Sequence, residues 1–143
     1  MSEFDFASAW LEEALRDYEA GKILAEAQFY SQAVFLAQQA AAKALKSILL
    51  FFKVPEGTGQ HPAVLFETLL QKPEGAPLKS SEIRLSRLLK SYRLLEQEAN
   101  TCRFPRLSET RIIYPRHEFK PLHSARALTT AREIIGIGQT VLK

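Results

Sequence analysis

Residues 28–46 read QFYSQAVFLAQQAAAKALK, and this stretch decides the fold. Ala33, Ala37, Ala40, Ala41 and Ala44 recur at steps of three and four, and Ile48 and Phe52 continue the stripe. That period marks one face of an α-helix, so the spacing predicts a helix over 30–52. Small side chains along its first half let a second helix lie close against it.

Upstream, a first helix is expected over 6–27, with Trp10, Ala14, Tyr18, Gly21 and Ala25 on one stripe. Asp5, Glu12 and Glu13 crowd its first turns, where the helix dipole favours acids. Downstream, Pro55, Gly57 and Gly59 end the second helix and open a loop. A short third helix starts near Pro62 and carries Val64, Leu65, Phe66, Leu69 and Leu70. After a break over 72–77, Ser80 or Ser81 caps a fourth helix with Leu85, Leu88, Leu89, Tyr92, Leu95 and Ala99 as its apolar stripe. From 101 to 121 no period holds, and Pro105, Pro115 and Pro121 break any continuous helix. A last helix over 122–142 buries Ala125, Leu128, Ala131, Ile135 and Leu142. Gly136 and Gly138 near its end mark either close packing or fraying.

No strand pattern and no repeat at solenoid period is visible. The fold class is therefore all-α: one domain over 1–143, a strand-free five-helix bundle of the up-and-down type, with a long basic loop before the last helix. Its core is expected to hold Trp10, Tyr18, Ala37, Ala41, Ile48, Leu88, Tyr92 and Leu128.

Hydrophobic residues make up 46% of the chain and charged residues 24%, which is globular rather than disordered composition. At 143 residues the core is large enough to fold without a metal or a disulfide. Cys102, the one cysteine, excludes an intrachain disulfide and favours a reducing, cytoplasmic setting. The acidic start does not fit a signal peptide, and the apolar run 48–52 is far short of the ~20 residues of a spanning helix. A soluble protein with no membrane partner is expected.

Charge is unevenly spread. Residues 1–42 hold seven acids and two bases, net −5, so 43–143 carry +8 of the total +3. Within 103–126, Arg103, Arg106, Arg111, Arg116, Lys120 and Arg126 face only Glu109 and Glu118. Such a block attracts phosphates or is simply a solvated basic loop. Phosphate-loop, dinucleotide, HExxH and zinc spacings are absent, and no histidine completes a Glu-x-x-His di-iron pattern. Cys102 reads as a buried thiol. No cofactor or metal is implied.

The run 28–46 resembles the signature helix of the HEPN family, of the form aromatic-x-alanine-QQAAEKALK. The family pairs it with a tryptophan-bearing first helix, here Trp10 with Asp17. Gly59-Gln60-His61 with Leu65, Leu69 and Leu70 is similar to its short histidine-then-leucines helix. Tyr92 followed by Cys102-Arg103-Phe104-Pro105 is similar to its tyrosine, spacer, Arg-Tyr-Pro element. Ala42 stands where the family usually has glutamate, and Phe104 replaces a tyrosine. The long loop 101–121 is similar to that of the sacsin C-terminal domain, for which nucleotide binding is proposed. The resemblance implies a helical bundle, often dimeric. It also implies one of three roles: an RNA-cleaving toxin or defence nuclease, a partner of a minimal nucleotidyltransferase, or a non-catalytic RNA- or nucleotide-binding module within a larger host protein.

Nuclease members place four to six residues, the first usually polar, between Arg and His, the arginine for the scissile phosphate and the imidazole for proton transfer. Arg116 to His123 fits that spacing with His117 as the polar neighbour, and Arg111 to His117 fits it with an apolar neighbour, Ile112. With ten arginines and three histidines, chance placement gives roughly half a match to one match, so the spacing alone does not establish catalysis. The leading expectation is a module, dimeric and non-catalytic, that binds RNA or nucleotide phosphates through Arg103, Arg106, Arg111, Arg116 and His117, with Lys43 and Lys46 contributing. A metal-independent endoribonuclease using Arg116 and His123 is the alternative. A helical interaction domain that dimerises or docks a nucleotidyltransferase or chaperone-like partner is a third. Gln38 and Gln39 either meet a ligand or cross-link helices, and His61 closes a helix start.

Overall fold

Ser2 starts the first helix. Its hydroxyl accepts from the Asp5 N–H at 3.1 Å while the Asp5 carboxylate accepts from the Ser2 N–H at 3.0 Å. Two donors that the first turn would leave unpaired are thereby satisfied. Helix α1 runs Glu3–Glu26, and a short turn with Gln28 in the left-handed region (φ 70°) leads into α2, Tyr30–Phe51. The computed structural model describes residues 2–54 and 61–143; the expectations for Pro55, Gly57, Gly59 and Gln60 lie outside the described residues.

Helix α2 has no side-chain cap, no acid in its first turn and no base in its last. Its stability therefore comes from packing. Ala33, Ala37, Ala40, Ala41 and Ala44 are all fully buried, with α1 and α6 (Pro121–Val141) as its most extensive neighbours and α3 (Pro62–Gln71) and α4 (Glu82–Ala99) also against it. By length and composition α2 could cross a membrane, but most of it is buried in this bundle, as in a core helix. The alanine stripe is thus spent inside the chain and is not available to pair with another molecule.

Helix α3, Pro62–Gln71, opens with Pro62 at its first position, where the missing N–H costs nothing. The expected break at 72–77 is instead a 3₁₀ segment, Pro73–Ser81, folded back on α3. A β-carbon at Gly75 would fall 2.1 Å from the Leu69 carbonyl oxygen, so only glycine permits that return. Ser81 precedes α4, Glu82–Ala99, but its hydroxyl makes no capping bond, because the 3₁₀ turn continues into the helix through Glu82 N–H to Lys79 C=O.

Residues after α4 depart from the strand-free expectation. Strands β1 (Arg106–Ser108) and β2 (Arg111–Ile113) form an antiparallel hairpin with Leu107 opposite Ile112. Strands of three residues are too short to show alternation, and Glu109 takes the left-handed turn conformation (φ 54°) where a glycine would have announced a hairpin. Helix α5 is one turn, Pro115–Glu118, and α6 runs Pro121–Val141. The prolines that break the chain at 115 and 121 are the first residues of these two helices.

The core also differs in detail. Trp10, Tyr18 and Leu128 are half-buried at its edge, and Ala125 is exposed. The buried face of α6 is Ala127, Ala131, Ile134, Ile135 and Gly138, rotated slightly from the expected stripe. Gly138 resolves as close packing: a β-carbon there would lie 2.9 Å from Leu11 Cδ1, whereas Gly136 has nothing within 4 Å.

Candidate functional site

Each basic residue of the loop has a particular setting. The exposed Arg103 follows α4, its guanidinium 4.9 Å from the centre of the Phe35 ring and 5.3 Å from that of Phe104. Rings engage the faces of a guanidinium, which leaves its in-plane N–H groups for an oxyanion. Among the described residues no carboxylate forms an ion pair with it. Arg106 on β1 is paired with Glu118 on α5, which fastens the hairpin to the one-turn helix. Arg111 on β2 is exposed. The Arg116 guanidinium lies 4.4 Å over Tyr114, whose ring also meets His117 edge-on at 5.5 Å.

His123 sits apart from that cluster. Its Nδ1 accepts from the Lys120 N–H at 2.9 Å, at the start of α6, and its ring packs edge-on against buried Phe119 at 5.4 Å. Among the described residues no hydrogen bond, ion pair or ring contact joins Arg116 to His123. Both sites of the nuclease spacing are therefore present on neighbouring elements, each with its own local partners.

Beside Arg103 lies a cleft of about 460 Å³ between α2 and α4, lined among others by Phe35, Gln39, His61, Glu96 and Asn100. Beneath it runs a chain of hydrogen bonds. Gln39 Nε2 donates to Gln38 Oε1 at 2.8 Å, Gln38 Nε2 donates to the Tyr92 hydroxyl at 3.4 Å, and that hydroxyl donates to Glu96 Oε2 at 3.2 Å. Tyr92 is fully buried, and burial together with the Glu96 charge holds its hydroxyl far above the usual tyrosine range. Gln38 thus cross-links α2 to α4, while Gln39 reaches the cleft wall. His61, left-handed at φ 62°, precedes α3 and stands exposed at the same cleft.

Glu96, Asn100 and Phe35 were not among the residues singled out by sequence. The signal was available: Tyr92, Glu96, Asn100 and Arg103 follow steps of four, four and three, and Phe35, Gln38 and Gln39 share one face of α2. Lys43 and Lys46, by contrast, meet α1. Lys43 Nζ pairs with Asp17 at 2.7 Å, and Lys46 lies 5.3 Å over the Trp10 ring, itself edge-on to Phe6. Cys102 is buried, its Sγ donating to the Ala99 carbonyl, and burial pushes the thiol up to about 11. Among the described residues no three His, Cys, Asp or Glu side chains gather as a metal site requires.

A helical bundle whose α2 carries the glutamine-alanine-lysine signature, with an arginine-bearing loop beside it, defines a class of small all-helical modules. The sequence profile of the HEPN domain matches residues 7–141, nearly the whole chain, and the chain belongs to the HEPN family. Two solved structures share the fold. The archaeal HEPN homologue ST0689 matches at a TM-score of 0.66 and 21% identity, over 96% of this chain and 98% of that one. TT1696 from Thermus thermophilus matches at 0.67 and 23% identity, over 94% and 97%. No curated protein matches the sequence.

Proposed function

We propose that this HEPN chain is a non-catalytic binding module for RNA or nucleotide phosphates, working as a cytoplasmic homodimer, with Arg103 as its principal phosphate contact. The observation that carries this reading is the setting of Arg103: an exposed guanidinium in contact with the Phe35 and Phe104 rings, free of any ion pair among the described residues, at the edge of a polar cleft. Arg111 and Arg116 extend the basic surface along the loop, whereas Arg106 is engaged by Glu118. Binding is favoured over endoribonuclease action because Arg116 lies on Tyr114 while His123 meets Lys120 and Phe119, and among the described residues no contact joins the two. Docking to a nucleotidyltransferase or larger host protein is compatible with this role.

The test is a titration of the unaltered chain and of Arg103→Ala with a short single-stranded RNA and with mononucleotides. Binding weakened roughly tenfold or more by the substitution is expected for loss of a charge-assisted contact. Unchanged affinity, or none in either protein, would remove the proposal. Sedimentation at micromolar concentration tests the dimer.

A further inference from the structure

We propose that the cleft beside Arg103 is a nucleobase subsite that selects a base edge carrying adjacent N–H donors, guanine above all. This rests on the phosphate-binding reading of Arg103 and adds what the ligand must present next to its phosphate.

The hydrogen-bond capacity of the cleft wall is only partly used within the chain. Gln38 is used at both ends, its carbonyl by Gln39 and its amide nitrogen by Tyr92. The Tyr92 hydroxyl is used by Gln38 and Glu96. Gln39 turns its amide nitrogen toward Gln38, so its carbonyl oxygen remains as an acceptor. Glu96 receives Tyr92 on Oε2, and among the described residues nothing meets Oε1. Arg93, which also lines the cleft, pairs with Glu67 at 2.9 Å. Fixed in place by a fully buried tyrosine, this wall therefore offers acceptors from Gln39 and Glu96.

A ligand that fits such a wall supplies donors. Guanine presents its ring N1–H and its exocyclic amino N–H side by side, matching Glu96 Oε1 and the lone pair of Oε2 that Tyr92 leaves open. Adenine and cytosine each place an acceptor nitrogen beside their amino group, which would face the carboxylate unfavourably. Uracil offers one N–H between two carbonyls. His61 supplies a flat, exposed ring at the same cleft on which a base can stack. The cleft, at about 460 Å³, is within the range of small-ligand sites. Phosphate then falls to the in-plane edge of Arg103.

Calorimetric titration of the full chain with GMP, IMP, AMP, CMP and UMP tests the selection. GMP is expected to bind roughly tenfold or more tighter than UMP, with IMP between them because it lacks the amino group. Glu96→Gln, which keeps an acceptor for Tyr92, should bring the GMP-to-UMP ratio close to one; Gln39→Leu should lower it less, and serves if Glu96→Gln does not fold. Arg103→Ala should weaken every nucleotide alike. Oligouridine with and without a single guanine distinguishes the source: a ratio carried into RNA assigns the site to a base within a strand, and a ratio confined to GMP assigns it to a free nucleotide. Base-blind binding that still requires Arg103 would overturn the subsite while leaving the phosphate reading intact. A preference that survives both Glu96→Gln and Gln39→Leu would also overturn it, and failure of every nucleotide and RNA to bind would overturn the phosphate reading itself.

Discussion

His123 Nδ1 accepts the backbone N–H of Lys120 across the first turn of α6, at 2.9 Å. An imidazole nitrogen that accepts carries no proton, so the remaining N–H is on Nε2. The residue works as a helix cap. His123→Ala is expected to cost about 1 kcal/mol of stability, as loss of a cap does, and to leave RNA affinity unchanged. The unaltered protein should not cleave RNA in chelator; reproducible metal-free cleavage abolished by His123→Ala would overturn the non-catalytic reading.

The loop arginines should make affinity depend on salt. If Arg103, Arg111 and Arg116 each meet one phosphate of a single strand, the logarithm of the binding constant should fall with the logarithm of salt at a slope of roughly −2. Titrations from low to physiological salt measure it. Arg106→Ala should leave the slope nearly unchanged, since Glu118 already holds that side chain.

Lys43 and Asp17 join α1 to α2 at 2.7 Å, each only partly exposed. Removing either charge should destabilise the fold by about 1–2 kcal/mol, less than a fully buried pair because solvent still reaches both. Urea unfolding of Lys43→Met, Asp17→Ala and the double variant gives the coupling. A purely additive cycle would show that the pair contributes nothing of its own.

The two glycines of α6 make a matched test. Gly138→Ala must displace Leu11 and should cost about 1–3 kcal/mol by overpacking. Gly136→Ala meets open space and should stabilise by about 0.5–1 kcal/mol through helix propensity. Thermal unfolding compares them.

Alkaline pH should weaken the fold. Cys102 rises from an ordinary 9.0 to about 11, chiefly by burial, and Tyr92 is raised from 10.0 by burial and Glu96. The native state holds both protons more tightly than the unfolded chain. The Cys102 contribution is complete below about pH 9 and is lost as pH rises through 11, while that of Tyr92 begins to fall only above about pH 10. Cys102→Ala should flatten the first part of that decline in melting temperature.

The helices were legible because their signal is repeated many times: α2 shows its period at Ala33, Ala37, Ala40, Ala41, Ala44 and Ile48, and one misplaced residue cannot hide it. The hairpin was not, since Leu107 and Ile112 form one cross-strand pair and a single pair has no period. Trp10 and Tyr18 were expected inside because they are large and fall on the stripe; they lie instead at the margin, where Trp10 meets Phe6 and the Lys46 ammonium, while Ala7, Leu11 and Ala14 are the buried apolar side chains of α1. For the candidate site, the charge run located the loop. Which arginine is engaged by Glu118 and which lies against the Phe35 ring depends on contacts made only after the chain returns on itself.

The Arg106–Glu118 pair, with Pro115 and Phe119 buried beside it, ties down a segment that composition alone would leave wandering. Its disorder is removed once, when the protein folds, and need not be removed again at each encounter with a ligand. Association should therefore be a single fast step governed by diffusion and charge, without a slow ordering phase. Glu118→Gln weakens that half-exposed pair and should slow association modestly, with no residue at the phosphate contact altered.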